Sequence, residues 1–110
     1  MVPQSPFLLV RARPAEGADE HAFGRWFREV HLRDAAKIPG VGAVEWGRSP
    51  NGAWLGLFSF ESAETVQTSL SSPEAAYARG TWQRWMPRLA ELHVELFAPV
   101  VPLPMYAGQN

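Results

Sequence analysis

Hydrophobic positions along the chain change their period several times, and each change marks an element. Phe7-Leu8-Leu9-Val10-Arg11-Ala12-Arg13 is a short apolar run without helical period, closed by Pro14, and predicts a strand buried on both faces. Gly17-Ala18-Asp19-Glu20 then opens a helix, with acids where the helix dipole favours them. Phe23, Trp26, Phe27 and Val30 follow the i, i+3, i+4, i+7 spacing of one buried helix face. Lys37 falls in the last turn and Pro39-Gly40 stops it. Val41–Trp46 and Ala53–Phe60 flank the turn-forming segment Gly47–Gly52 and predict a β-hairpin. Ser62 is expected to cap a helix through about Leu70, and Ser72-Pro73-Glu74 reads as a second helix start. Trp82, Trp85, Met86 and Leu89 mark another helical stripe, shortened or kinked by Pro87. The last strand is expected over His93–Ala98.

The order is β-α-β-β-α-β, an α+β arrangement of one antiparallel sheet with its helices on a single face. Strands one and three are apolar on both sides, so the face without helices would expose more apolar surface than a soluble monomer tolerates. The same face of a second subunit is the simplest cover, which predicts a homodimer. One domain is expected over residues 1–99, followed by a Pro-rich tail over 100–110. That tail either reaches across the dimer or frays as a terminus.

Composition narrows the function classes. With 46% hydrophobic and 19% charged residues the 110-residue chain is globular rather than disordered. A net charge of −1 lacks the basic footprint of a nucleic-acid binder. There is no cysteine, hence no disulfide, thiolate metal site or Cys nucleophile. The chain has no apolar run long enough to span a membrane and no secretory signal at Met1–Pro6, so a cytoplasmic location without membrane association is expected. No His/carboxylate spacing suits a bound metal, no Gly-rich loop follows a strand to hold a phosphate-bearing cofactor, and no nucleophile elbow surrounds a Ser.

Trp26-Phe27-Arg28-Glu29-Val30-His31 with Pro39-Gly40 eight residues on, Ser71-Ser72-Pro73-Glu74, and the closing Phe97-Ala98-Pro99 together resemble EthD-like proteins. These belong to the dimeric α/β-barrel (ferredoxin-like) superfamily. The likeness runs from Phe7 to Pro99; Arg33 stands where many EthD-like sequences have Pro. The resemblance implies a ferredoxin-like dimeric barrel with a ligand between helices and sheet. Its relatives include cofactor-independent monooxygenases, cyclases, isomerases and haem-degrading oxygenases, so the fold does not choose the reaction.

His31 is the candidate catalytic residue. Its spacing from Phe23 and Phe27 puts it beside the apolar stripe, where an imidazole can meet a ligand and act as general acid or base. The alternative is a boundary histidine satisfied by a backbone carbonyl or by Asp34 one turn on. The resemblance favours function, since His31 matches the helix-one His of the family. Phe23, Phe27, Trp54, Phe58, Trp82, Trp85 and Met86 are candidate substrate-binding residues, a set that could equally be ordinary core. Arg11 and Arg13 share a strand face and are expected to pair with Glu45 or Glu95, or to bind a carboxylate ligand. His21 and His93, the latter at a strand start, read as surface residues.

The expectation is a cofactor-free enzyme that oxygenates, cyclises or isomerises a small flat aromatic or polyketide-like molecule. Its rivals are a non-catalytic small-molecule-binding dimer and, on the resemblance alone, a haem-binding oxygenase-like protein held through His31.

Overall fold

In the computed structural model, which describes residues 5–98, β1 (Phe7–Pro14) lies between two antiparallel neighbours. Together with β2 (Val41–Arg48), β3 (Trp54–Phe60) and β4 (Leu89–Phe97) it forms a four-stranded sheet in the order β2-β3-β1-β4. Pairing sets Val10 opposite Gly56 on one side and Val94 on the other, and Leu8 opposite Phe58 and Leu96. Residues paired across neighbouring strands share a face, so one face carries Val10, Ala12, Trp54, Phe58 and Phe60, all buried. The opposite face carries the half-buried Phe7, Leu9, Leu55 and Leu57.

The helices pack on the first face. Asp19 accepts the Ala22 N–H at 3.0 Å and caps α1 (Glu20–Trp26). The chain then widens into one π-helical segment, Phe27–His31, before resuming as α2 (Leu32–Ala36). Gly40 follows at φ +90°, a conformation that suits the residue closing this helical stretch. Ser72 caps α4 (Pro73–Gly80), accepting from Ala75 N–H at 3.1 Å while its hydroxyl donates to the Ser69 carbonyl at 2.7 Å. Phe23, Trp26, Phe27, Trp82 and Trp85 form the aromatic centre of the core above β1 and β3.

Three expectations are corrected. The Ser62 side chain makes no capping hydrogen bond; a 3-10 turn over Ala63–Thr65 leads instead into the short α3 (Val66–Leu70). The stripe from Trp82 to Leu89 is not a helix. Pro87 limits it to a 3-10 turn, Met86–Arg88, after which β4 begins at Leu89, four residues earlier than expected. His93 is therefore mid-strand, and Met86 is exposed rather than part of a buried stripe. Arg13 is paired with Glu91 at 3.6 Å, not with Glu45 or Glu95, because β4 runs opposite β1 in a register that sets Arg13 across from Glu91. Glu95 instead approaches His93 at 3.6 Å, and Arg11 makes no ion pair among the described residues. The Pro-rich tail, 100–110, lies outside the described residues. Among those described, no helix is long and apolar enough to cross a membrane.

Candidate functional site

A cavity of about 360 Å³ lies between the helix layer and one half of the sheet. Leu8 and Val10 of β1, with Leu92 and Val94 of β4, form its floor, and Phe58 and Phe60 rise from β3. Ala35, Ile38 and His31 close it from the first helical stretch, and Leu70, Ala75, Ala78 and Arg79 from α3 and α4. The space exists because three alanines stand where helix and sheet would otherwise meet through large side chains. It opens outward because Leu92, Val94 and Leu96, on the helix side of β4, have no helix above them: 36%, 53% and 46% of their surface is exposed. Its size falls in the range of small-molecule sites, and its lining is nearly all apolar.

His31 is the polar group inside this wall. The π-helical segment ends on it, with the Leu32 N–H reaching back to the Phe27 carbonyl. Such single wide turns recur at functional sites. The imidazole stacks on Trp26 (centroids 5.4 Å, planes 22° apart) and meets Trp82 edge-on at 4.7 Å and Phe58 at 5.7 Å. Phe27 lies 5.3 Å away. Both ring nitrogens are buried without a hydrogen-bond partner, neither a backbone carbonyl nor Asp34. Burial therefore pushes the imidazole down to about 4, and it is neutral at pH 7. Asp34 is itself buried, with Oδ2 unpartnered.

The sequence-derived candidates divide in space. His31, Phe58, Trp82 and Met86 line the cavity. Phe23 and Phe27 sit behind its wall as fully buried core, 1% and 0% exposed. Trp54 lies toward the β2 edge, where Trp46 stacks on it at 5.7 Å and the Arg48 guanidinium covers it at 4.0 Å. Trp85 packs edge-on against Phe23 at 5.3 Å and faces a different surface. Sequence reasoning missed Arg79, the cavity's charged rim, whose Nη1 donates to the Leu70 carbonyl at 3.0 Å. Its signal was the Ala75, Ala78, Arg79 spacing, which sets all three on one face of α4.

Among the described residues no group of three His, Cys, Asp or Glu side chains could hold a metal. Both ring nitrogens of His31 are closed off by packed aromatic rings, so contact with a haem iron, as with any other ligand, requires the imidazole to turn toward the cavity.

No protein-family model matches the chain, and no curated protein matches it by sequence. Solved structures do match in three dimensions. An EthD-family protein from Bacillus halodurans superposes with a TM-score of 0.62 at 18% identity, covering 82% of this chain and 96% of that one. SnoaB, a cofactor-independent oxygenase from Streptomyces nogalater, gives 0.59 at 16% identity, covering 92% and 99%. A protein provisionally assigned as an antibiotic biosynthesis monooxygenase, from Deinococcus radiodurans, gives 0.62 at 12% identity, covering 89% and 95%. At these identities the likeness establishes the fold: the chain is an α+β ferredoxin-like protein, similar in three dimensions to EthD-family and monooxygenase-type proteins.

Proposed function

We propose that the protein is a cofactor-independent enzyme of oxygenase, cyclase or isomerase type, acting on a small, flat, largely apolar molecule in the cavity beside His31. The observation that carries this reading is a neutral imidazole with two unsatisfied nitrogens in the wall of an apolar, ligand-sized cavity. A buried polar group without a partner costs about 1–3 kcal/mol, so a fold keeps one where a ligand will use it. The likeness to a cofactor-independent oxygenase supports the same class. In the enzyme, His31 turns toward the cavity and accepts a proton from an activated carbon or hydroxyl of the substrate, and the dry aromatic wall keeps the resulting anion from water. Phe58, Trp82 and Met86 offer flat or adaptable surfaces for the substrate body.

Two copies pair through the open sheet face. Its centre is Leu9, Leu55 and Leu57, with Phe7 stacked on Phe97 at 5.0 Å and Phe97 still 42% exposed. Glu45, Arg11, His93 and Glu95 form a polar rim on the same face, the anatomy of a protein interface.

Replacing His31 by Gln is expected to leave the fold intact and lower turnover of an accepted aromatic substrate by ~10² or more. Unchanged turnover would remove His31 from the chemistry. A second reading, a binding dimer without catalysis, draws on the absence of any hydrogen bond between Asp34 and His31, which leaves no second group to share the proton. Under that reading the same substitution weakens ligand binding, and no substrate is consumed by the wild-type protein.

A further inference from the structure

Away from the cavity, α1 and the segment before β4 enclose a second concave surface of about 530 Å³. Trp26 and Trp85, both deeply buried, form its base, and Arg25, Arg84 and Arg88 stand around it with Glu29. This concentrates three cations in one groove of a chain whose net charge is −1. Among the described residues none of the three is ion-paired or makes a side-chain hydrogen bond. The guanidinium carbons of Arg84 and Arg88 lie 5.5 Å and 5.8 Å from the centre of the same Trp85 ring. Two like charges held over one indole repel each other, and the indole face offsets that only in part. Trp85 Nε1 is a further buried donor without an acceptor.

Every polar group here except Glu29 is a donor, and what would satisfy them is an anion. We propose that this groove binds a small phosphate monoester, a site distinct from the cavity at His31. Three guanidinium groups against one carboxylate leave two positive charges, which match a dianion better than a carboxylate. The planar guanidinium fork donates pairwise to phosphate oxygens, and the indoles at the base offer a flat surface to the organic part of the ester. Binding places the anion between Arg84 and Arg88 and relieves their repulsion.

The test uses the intact chain and phenyl phosphate, with inorganic phosphate and benzoate beside it, at an ionic strength held constant with sodium chloride. Indole N–H resonances are followed by NMR, and heats of binding by calorimetry. The expected result is a saturating shift of the Trp85 indole with phenyl phosphate. Binding is expected to fall at least about tenfold in R84Q and R88Q, and benzoate to bind at least about tenfold more weakly than phenyl phosphate. Arg84 and Arg88 are exposed, so these variants keep the fold, which near-UV circular dichroism verifies; R25Q gives an independent third side of the groove. Absence of saturation at constant ionic strength overturns the site. Binding that survives the R84Q/R88Q double substitution moves it elsewhere, and benzoate binding as tight as phenyl phosphate overturns the phosphate assignment.

Discussion

Replacing His31 by Leu and measuring stability from pH 7 to pH 5 tests whether the imidazole sits dry and unpartnered in the aromatic wall. In the unfolded chain the group titrates at its ordinary 6.5; burial lowers it to about 4 in the folded protein. Between those values the unfolded chain takes up a proton that the folded chain refuses. Stability is therefore fully present above 6.5 and is lost as pH falls toward about 4. That interval corresponds to about 3 kcal/mol in all, of which about 2 kcal/mol is gone by pH 5. With His31 only 4% exposed, solvent screening takes little from this figure. Leu has no such slope. At pH 7 the Leu variant should match or exceed the wild type to within about 1 kcal/mol, since it removes two unpartnered nitrogens at some loss of ring packing. Urea unfolding followed by tryptophan fluorescence, at one fixed protein concentration, gives both curves. Subtracting one from the other cancels every other titrating group. Parallel curves from pH 7 to pH 5 would refute the reasoning, because the imidazole would then have a partner or water in the folded state.

Two further substitutions probe the frame of the site. A methyl group at Gly24 would lie 2.5 Å from Cζ2 of Trp54, an indole already held by Trp46 and Arg48, so Gly24→Ala is expected to lower the unfolding free energy by about 1–3 kcal/mol despite its better helix propensity; equal or greater stability would show that Trp54 is free to move. Leu57→Lys puts a charge at the centre of the open sheet face; if two copies pair there as proposed, ultracentrifugation should find a dimer for the wild type and a folded monomer for the variant, and a wild type that is itself monomeric at micromolar concentration removes the interface.

How far the sequence could be read depended on how local the deciding physics was. The strand β3 announced itself as an apolar run following a turn-forming segment, and the structure buries Trp54, Phe58 and Phe60 on one face as the two-residue period of a strand requires. Asp19 and Ser72 cap helices because the capping geometry needs only three residues. In the stripe from Trp82 to Leu89 the aromatic spacing points to a helix, and Pro87, which removes a donor and clashes with the preceding turn, cuts it to a 3-10 turn. The cavity was harder still. A void is set by what is missing between elements far apart in sequence, here Ala35, Ala75 and Ala78 opposite Leu8 and Val10. Large aromatics draw the eye, yet Phe23 and Phe27 turned out to be the mass of the core. Tryptophan count alone could not separate a wall from a pocket. The π-helical turn that delivers His31 has no sequence signature in this chain either, since its Phe27–His31 spacing is compatible with ordinary helix.

Under the proposed function, the low proton affinity of His31 also bears on what it would act upon. A base that titrates at about 4 faces an uphill transfer of roughly 8 kcal/mol from an ordinary phenol, but only about 4 kcal/mol from a carbon or hydroxyl acid near 7. The transfer creates an imidazolium beside the anion it has made, and in an apolar wall that pairing returns part of the cost. Water would return it less selectively, by solvating the proton wherever it went. A dry pocket with one neutral histidine thus favours substrates that are already acidified, by a carbonyl next to the reacting carbon or by several conjugated hydroxyls, over isolated phenols. The same burial that weakens the base keeps it uncharged throughout the neutral range, so the group stays ready to accept a proton at any pH where the fold itself is at full stability.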